Sequence, residues 1–338
     1  MQPSPAATKL IDRFGRQVNY LRISVTDRCD LRCIYCMSEK MQFVPRNQLL
    51  TLEEIHSIAT AFITLGVTKL RLTGGEPLVR HNVLSLFQQL GKLRQSGQLQ
   101  DFTLTTNGTQ LTRYASELKK HGVTRINISL DTLRAERFKR LTRVGKLQQT
   151  LDGIEAAIKA GFDRIKLNAV IMKQRNDDEI NDLVDYALDH GLDISFIEEM
   201  PLGETSDHNR AEAFCSSDEV LATVRQRHTL IPTTISTGGP SRYFQISGSP
   251  SRVGVISPHS HNFCGSCNRV RLTATGNLLL CLGQEHSVDL RHVVRSHPGD
   301  QSKLQQAIID AMLIKPEGHD FDIQAKPMIF RHMNVTGG

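Results

Sequence analysis

Cys29, Cys33 and Cys36 stand close together in "TDRCDLRCIYCM", and Cys264, Cys267 and Cys281 in "NFCGSCNRVRLTATGNLLLCLG". Thiols at such spacings in a chain without a secretion signal point to metal ligation. Six of the seven cysteines fall in these two triples, leaving Cys215 alone, and the odd total argues against a disulfide framework. Each triple is one ligand short of a closed zinc site. An iron–sulfur cube tolerates that shortage, because three thiolates can hold three irons and leave the fourth open to another ligand. After the first triple no Cys or His follows until His56, which disfavours zinc there. Near the second, His259, His261 and His286 keep a zinc site of three cysteines and one histidine open.

Arg269 and Arg271 come directly after Cys267, at one parity of a short predicted strand. Two guanidiniums so placed suit bidentate capture of phosphate oxygens, although either one alone reads as a solvated strand face. The formal charge of +6, with a pI near 9.0, fits a solvated surface, a nucleic-acid groove or a pocket for an anionic small molecule. Aromatic content is only 5% and no basic run is present, so no nucleic-acid stripe is marked and no nucleic-acid partner is expected. No apolar run nears the roughly 18 residues of a membrane span. The opening "MQPSPAATKLIDRFGR" lacks the apolar core of a secretion signal, so no membrane partner and a cytoplasmic location are expected.

The elements that position these residues repeat. Predicted strands at 20–26, 68–74, 101–107, 124–131, 164–172 and 193–201 alternate with helical stretches near 52–65, 82–95, 110–121, 148–160 and 177–190. Several of these helices end at a glycine (Gly66, Gly122, Gly161, Gly191), as helix C-caps do. Such alternation predicts a parallel sheet with helices outside it. Along each strand one parity is apolar (Leu21, Ile23, Val25; Leu70, Leu72; Ile126, Ile128, Leu130) and the other polar. The polar set includes Arg22, Lys69, Arg71, Thr105, Asn127, Ser129, Asp131, Lys166 and Asn168. A closed barrel of ordinary size fills its interior with branched apolar residues. A polar inner face predicts a wide or incomplete barrel around a wet, basic cavity. Beyond about residue 230 the composition turns to Gly, Ser and Pro, two further helices are expected near 286–295 and 301–313, and an extended tail ends the chain.

The first triple, with Tyr35 inside it and placed after the first strand, resembles the radical S-adenosylmethionine (SAM) superfamily. "LTGGEPLV" at 72–79 resembles that superfamily's GGEP motif. Together with "TTNG", "ISLDTL", "EEMPLG", "FCGSCNRVRLT" and the final Gly337–Gly338, the order of motifs resembles the GTP 3′,8-cyclase family of molybdenum cofactor biosynthesis over residues 10–338.

The resemblance implies an α/β fold, an incomplete (βα)6 barrel of parallel strands over 1–229, closed by a smaller C-terminal α+β region over 230–338 that carries the tail. It implies two 4Fe–4S clusters, one on Cys29, Cys33 and Cys36 that binds SAM and one on Cys264, Cys267 and Cys281 whose open iron binds the guanine of GTP. SAM contacts would fall to Tyr35, Gly75, Ser129 and Met200, the bare Gly74–Gly75 backbone reaching the SAM amino group. GTP contacts would fall to Arg22, Arg71, Thr105, Lys166, Arg269, Val270 and Arg271. The implied reaction is removal of the ribose 3′ hydrogen by a 5′-deoxyadenosyl radical, C3′–C8 bond formation and reduction to (8S)-3′,8-cyclo-7,8-dihydroguanosine 5′-triphosphate. Gly337 and Gly338 would enter the cavity as a catalytic tail. An external one-electron reductant, the next enzyme of the pathway (cyclic pyranopterin monophosphate synthase) and a second copy of the chain are the implied partners. Two other classes remain: a radical SAM enzyme acting on a peptide, which predicts more auxiliary cysteines, and a zinc-dependent nucleic-acid-binding module.

Overall fold

The computed structural model describes residues 9–203, 209–323 and 329–337. Six strands with helices between them come first: β1 (Tyr20–Ser24), α1 (Leu52–Thr64), β2 (Lys69–Thr73), α2 (Val83–Gln95), β3 (Asp101–Thr106), α3 (Leu111–Lys120), β4 (Arg125–Ser129), α4 (Ala135–Thr142), α5 (Leu147–Ala160), β5 (Arg164–Ile171), α6 (Ile180–Asp189) and β6 (Asp193–Glu198). Local chemistry sets the boundaries. Thr51 Oγ1 accepts from the Glu54 N–H (3.1 Å) while the Glu54 carboxylate accepts from the Thr51 N–H (2.7 Å), a capping box that starts α1. The four glycines read as helix ends all take positive φ. Helix α4 falls within a stretch where no helix is expected; at eight residues it is too short to give a clear period.

Strands β1 to β6 lie side by side in sequence order, all parallel. The rest of the chain supplies α7 (Arg210–Ala213), α8 (Ser217–Arg225), β7 (Leu230–Pro232), β8 (Arg242–Ile246), β9 (Arg252–Ile256), β10 (Arg269–Leu272), β11 (Asn277–Leu279), β12 (Ser287–Asp289), α9 (Leu290–Ser296), α10 (Gln301–Leu313) and α11 (Met333–Thr336). Its strands extend the same sheet. β9 pairs parallel with β6 and β10 parallel with β1, and antiparallel strands complete both flanks. The sheet therefore has 12 strands in the order β12-β11-β10-β1-β2-β3-β4-β5-β6-β9-β8-β7, the six expected parallel strands at its centre and six more from beyond residue 229 in the same sheet. The last turn of the chain is a short helix, α11, where an extended tail is expected.

The apolar parity builds the core. Leu21, Ile23, Leu70, Leu72, Ile126 and Ile128 are fully buried in one cluster with Ile55 and Phe62 of α1, Phe87 of α2 and Ile154 of α5. Cys215, 5% exposed, belongs to this cluster. No helix among the described residues is long and apolar enough to cross a membrane.

Candidate active site

The first triple lies on the loop leaving β1. The Cys36 and Met37 N–H groups both donate to Cys33 O (3.0 and 3.2 Å), which closes the loop into a turn. Cys29 Sγ accepts from the Leu31 N–H at 3.3 Å and from Asn107 Nδ2 at 3.7 Å. Asp30 fastens the loop to the segment after β3, accepting from Asn107 Nδ2 (2.7 Å), Thr109 Oγ1 (2.6 Å) and Gln110 Nε2 (3.2 Å). Tyr35 Oη donates to the Asp131 carboxylate at 2.7 Å. Burial pushes the Cys36 thiol up to about 12 and Asp131 up to about 6. Such thiols lose their protons by binding a metal.

Glu76 of the GGEP stretch braces this loop. Fully buried, it accepts from the Leu78 N–H (3.0 Å), Thr106 Oγ1 (2.8 Å) and the Asn107 N–H (2.7 Å). The adjacent glycines permit a close approach to the chain's own cysteine loop. A Cβ on Gly75 would stand 2.3 Å from Arg28 O, and one on Gly74 2.7 Å from Thr26 O. Gly75 also lines the cavity described below.

The second triple forms beside β10. The Cys267 N–H donates to Cys264 O (3.0 Å), and Cys281, after β11, has its Sγ 3.9 Å from Gly318 O. Arg16 Nη1 donates to Cys264 O (2.9 Å) and Lys315 Nζ lies 3.9 Å from Cys267 Sγ. Burial would raise the Cys267 thiol, but Lys315, Arg269 and Arg16 outweigh it and hold the thiol below its ordinary value. Two of the three histidines that kept zinc open are turned elsewhere: His259 Nε2 donates to Glu199 O (3.0 Å) and His261 Nε2 lies 3.3 Å from Asp218. Among the described residues no three Cys, His, Asp or Glu side chains converge on one ion. Thiolates of a cube bind separate irons and stand wider apart than the ligands of one ion. The donor set, three free thiols, fits a cube that leaves one iron open.

Two cavity lobes of about 1220 and 1190 Å³, open mouths included, separate the triples. Thr105, Asn168, Ile197, Met200 and Met333 line both, so the lobes adjoin. Cys29, Cys33, Cys36, Tyr35, Gly75 and Ser129 line one. Cys264, Cys267 and Cys281 line the other, with Arg22, Arg71, Lys166, Arg269, Val270 and Arg271. Register explains the cationic wall. Arg22 is paired across the ladders with Arg71 on one side and Arg271 on the other, so three guanidiniums share one rung. Arg71 donates to Tyr20 Oη (2.6 Å) and Thr105 Oγ1 (2.9 Å), Arg271 to Gly337 O (2.7 Å), all neutral oxygens. Burial, then Arg269, pulls Arg271 down to about 10, and burial lowers Lys166. Crowded cations that depress one another mark a place for an anion.

Gly337 O also accepts from Arg22 Nη2 at 3.3 Å, while Gly338 lies outside the described residues. Among residues the sequence reading passed over, Glu76 stood inside a quoted motif and Asp30 beside a cysteine. Lys315 and Arg16 carried no local signal.

Residues 23–187 match the family model for the Radical SAM superfamily, and residues 192–321 that for Molybdenum Cofactor Synthesis C. The structure of Streptococcus suis SuiB bound to S-adenosylmethionine superposes with a TM-score of 0.63 at 15% identity, covering 96% of this chain and 79% of that one, a likeness of fold alone. The GTP 3′,8-cyclase of Marinobacter nauticus is 58% identical over 331 residues, 98% of this chain and 99% of the relative. That of Ectopseudomonas mendocina is 57% identical over 330 residues, again 98% and 99%. A radical SAM fold with a cysteine triple after its first strand defines a class that carries a 4Fe–4S cluster and uses SAM. Within that class, the chain belongs to the GTP 3′,8-cyclase family.

Proposed function

We propose that the protein converts GTP to (8S)-3′,8-cyclo-7,8-dihydroguanosine 5′-triphosphate in molybdenum cofactor biosynthesis, using two 4Fe–4S clusters. Cys29, Cys33 and Cys36 would hold the SAM-binding cluster, and Cys264, Cys267 and Cys281 the cluster that receives guanine. The observation that carries the reading is the pair of adjoining lobes, a cysteine triple on each and the arginine rung beside the second. Bound at the first triple, the cluster and SAM would supply a 5′-deoxyadenosyl radical able to take the ribose 3′ hydrogen, and C3′–C8 bond formation would be completed by one electron from the external reductant and one proton.

The chain's own residues bind and orient. Arg22, Arg71, Lys166, Arg269 and Arg271 line one lobe and neutralise the triphosphate there. Thr105, held by Arg71 Nη1 at 2.9 Å, contributes a hydroxyl where the lobes meet. Tyr35, Gly75, Ser129 and Met200 hold SAM so that its 5′ carbon faces the ribose. Val270, between Arg269 and Arg271 on β10, lines the same lobe and completes the set proposed for GTP. Gly337 presents its carbonyl to Arg22 and Arg271, within the set proposed for GTP.

At the scale of the chain we propose an incomplete barrel over 1–229, closed by 230–338, working in the cytoplasm as a homodimer. An external one-electron reductant and cyclic pyranopterin monophosphate synthase would act before and after it. The test is anaerobic reconstitution followed by incubation with GTP, SAM and dithionite. Iron and sulfide counts of about eight each are expected for two cubes, with a cyclised GTP found by mass spectrometry. Failure to form that product in fully loaded protein would reject the activity.

A further inference from the structure

The two triples differ in the charge packed beside them. Beside Cys29, Cys33 and Cys36 stand the carboxylates of Asp131, nearly buried, and of Asp30, partly exposed directly behind Cys29, with Arg32 Nη1 on Cys29 O at 2.6 Å. Burial pushes the nearby Glu76 up to about 8, so it carries little charge at neutral pH. Beside Cys264, Cys267 and Cys281 stand bases: Lys315, Arg269 and Arg271, each less than a tenth exposed. Arg16 adds a fourth cation, but its Nε pairs with Asp12 at 2.6 Å and that charge is largely offset.

Lys315 is the odd member of this group. It follows α10 and is 1% exposed, although lysine is almost never fully buried without a partner. Its Nζ donates to Leu280 O at 2.7 Å and lies 3.9 Å from Cys267 Sγ. Among the described residues no carboxylate forms an ion pair with it. An ammonium has three donors, and only these two acceptors are met. A buried cation without a counter-anion is costly, so the anion belongs at the sulfur it faces.

We propose that Lys315 is the fixed counter-cation of the cluster held by the second triple, and that it raises that cluster's one-electron reduction potential above that of the first. This rests on the reading, given above, that the second triple holds a 4Fe–4S cluster. Adding an electron makes a thiolate-bound cube more negative. A fixed ammonium beside a ligating sulfur favours that state, and potentials of such clusters follow local charge and hydrogen bonds to sulfur. The carboxylates of Asp30 and Asp131 act the other way at the first triple and keep its cluster the stronger reductant. Lys315 lines neither lobe and is thus a tuning residue that acts through the cluster.

The experiment uses full-length protein with Cys29, Cys33 and Cys36 replaced by Ser, so that only the second triple is loaded. Its midpoint is read by dithionite titration followed by electron paramagnetic resonance. Lys315→Met should move the midpoint to more negative potential, Lys315→Gln should follow it, and Lys315→Arg should stay near the parent. The parent midpoint should also lie above that of protein whose Cys264, Cys267 and Cys281 are replaced by Ser, a comparison that needs no change at Lys315. An unchanged midpoint in Lys315→Met and Lys315→Gln with iron retained overturns this inference alone, as does a first-triple midpoint equal to or above the second. Absence of iron from the second triple overturns it together with the two-cluster reading.

Discussion

Arg269 and Arg271 stand two residues apart on β10, so the strand sends both side chains to one face. Arg271 spends one nitrogen on Gly337 O. Arg269 Nε is buried with no hydrogen-bond partner among the described residues, and its guanidinium carbon lies 5.4 Å from the centre of the Phe263 ring. A buried donor in that condition is costly unless a ligand meets it. A hydrogen bond to a charged group is worth about 1.5–3 kcal/mol, so Arg269→Ala should weaken GTP binding roughly 10- to 150-fold. Arg269→Lys should recover only part of that, since an ammonium lacks the planar fork. Equilibrium dialysis under anaerobic conditions measures both, with SAM affinity expected to hold. Equal GTP affinity in Arg269→Ala and the parent would remove Arg269 from the site.

At the scale of elements, the turn between β2 and α2 acts as a brace for the first cysteine loop. The Gly75 N–H donates to Thr26 O at 2.7 Å and the Glu76 N–H to Arg28 O at 2.8 Å, leaving no room for a side chain at 75. Because the atom a new Cβ would strike is a backbone oxygen, the loop itself has to shift, a cost of about 1–3 kcal/mol. Gly75→Ala should therefore lose iron at the first triple and keep it at the second, falling from about eight irons to about four; full loading would show that the loop adapts. This brace was only half legible in the sequence. The glycine pair was visible, but its neighbours Thr26 and Arg28 lie some fifty residues earlier, and nothing local reports such a contact. The parallel strands show the same division. Alternation placed β1 to β6 and assigned their faces, because a period of two is a local signal. That β10 joins β1 and β9 joins β6 is a pairing across most of the chain, and short runs such as "RVRL" do not name their partners. Lys315 was invisible for the same reason, since its burial depends on how α10 returns past Cys267.

Over the whole molecule, the C-terminal end is tied to both halves of the cavity. The Met333 N–H donates to Cys36 O (3.2 Å) and Asn334 Nδ2 to Asp27 O (2.9 Å), so one side of α11 rests on the first cysteine loop. Three residues on, Gly337 O takes hydrogen bonds from Arg271 and Arg22 on the cationic rung. The sequence offered only a terminal Gly pair, which in most chains is a frayed end. The structure gives Gly337 two reasons to be glycine: its φ is +75°, and an added Cβ would stand 2.4 Å from Thr73 Cγ2. The tail touches the surroundings of the proposed GTP site through its last described carbonyl, and those of the first triple through α11. Removing Gly337 and Gly338 keeps Met333 and Asn334, which rest on the first cysteine loop, and releases Arg22 and Arg271 from that carbonyl. Deletion of the pair should thus abolish cyclisation while reductive cleavage of SAM continues, so 5′-deoxyadenosine accumulates without the cyclised nucleotide. Gly337→Ala should show a milder form of the same uncoupling, since it strains the turn without shortening it. Chromatography of both products from one reaction measures the ratio. Full cyclisation in the deleted protein would reduce the tail to a packing element.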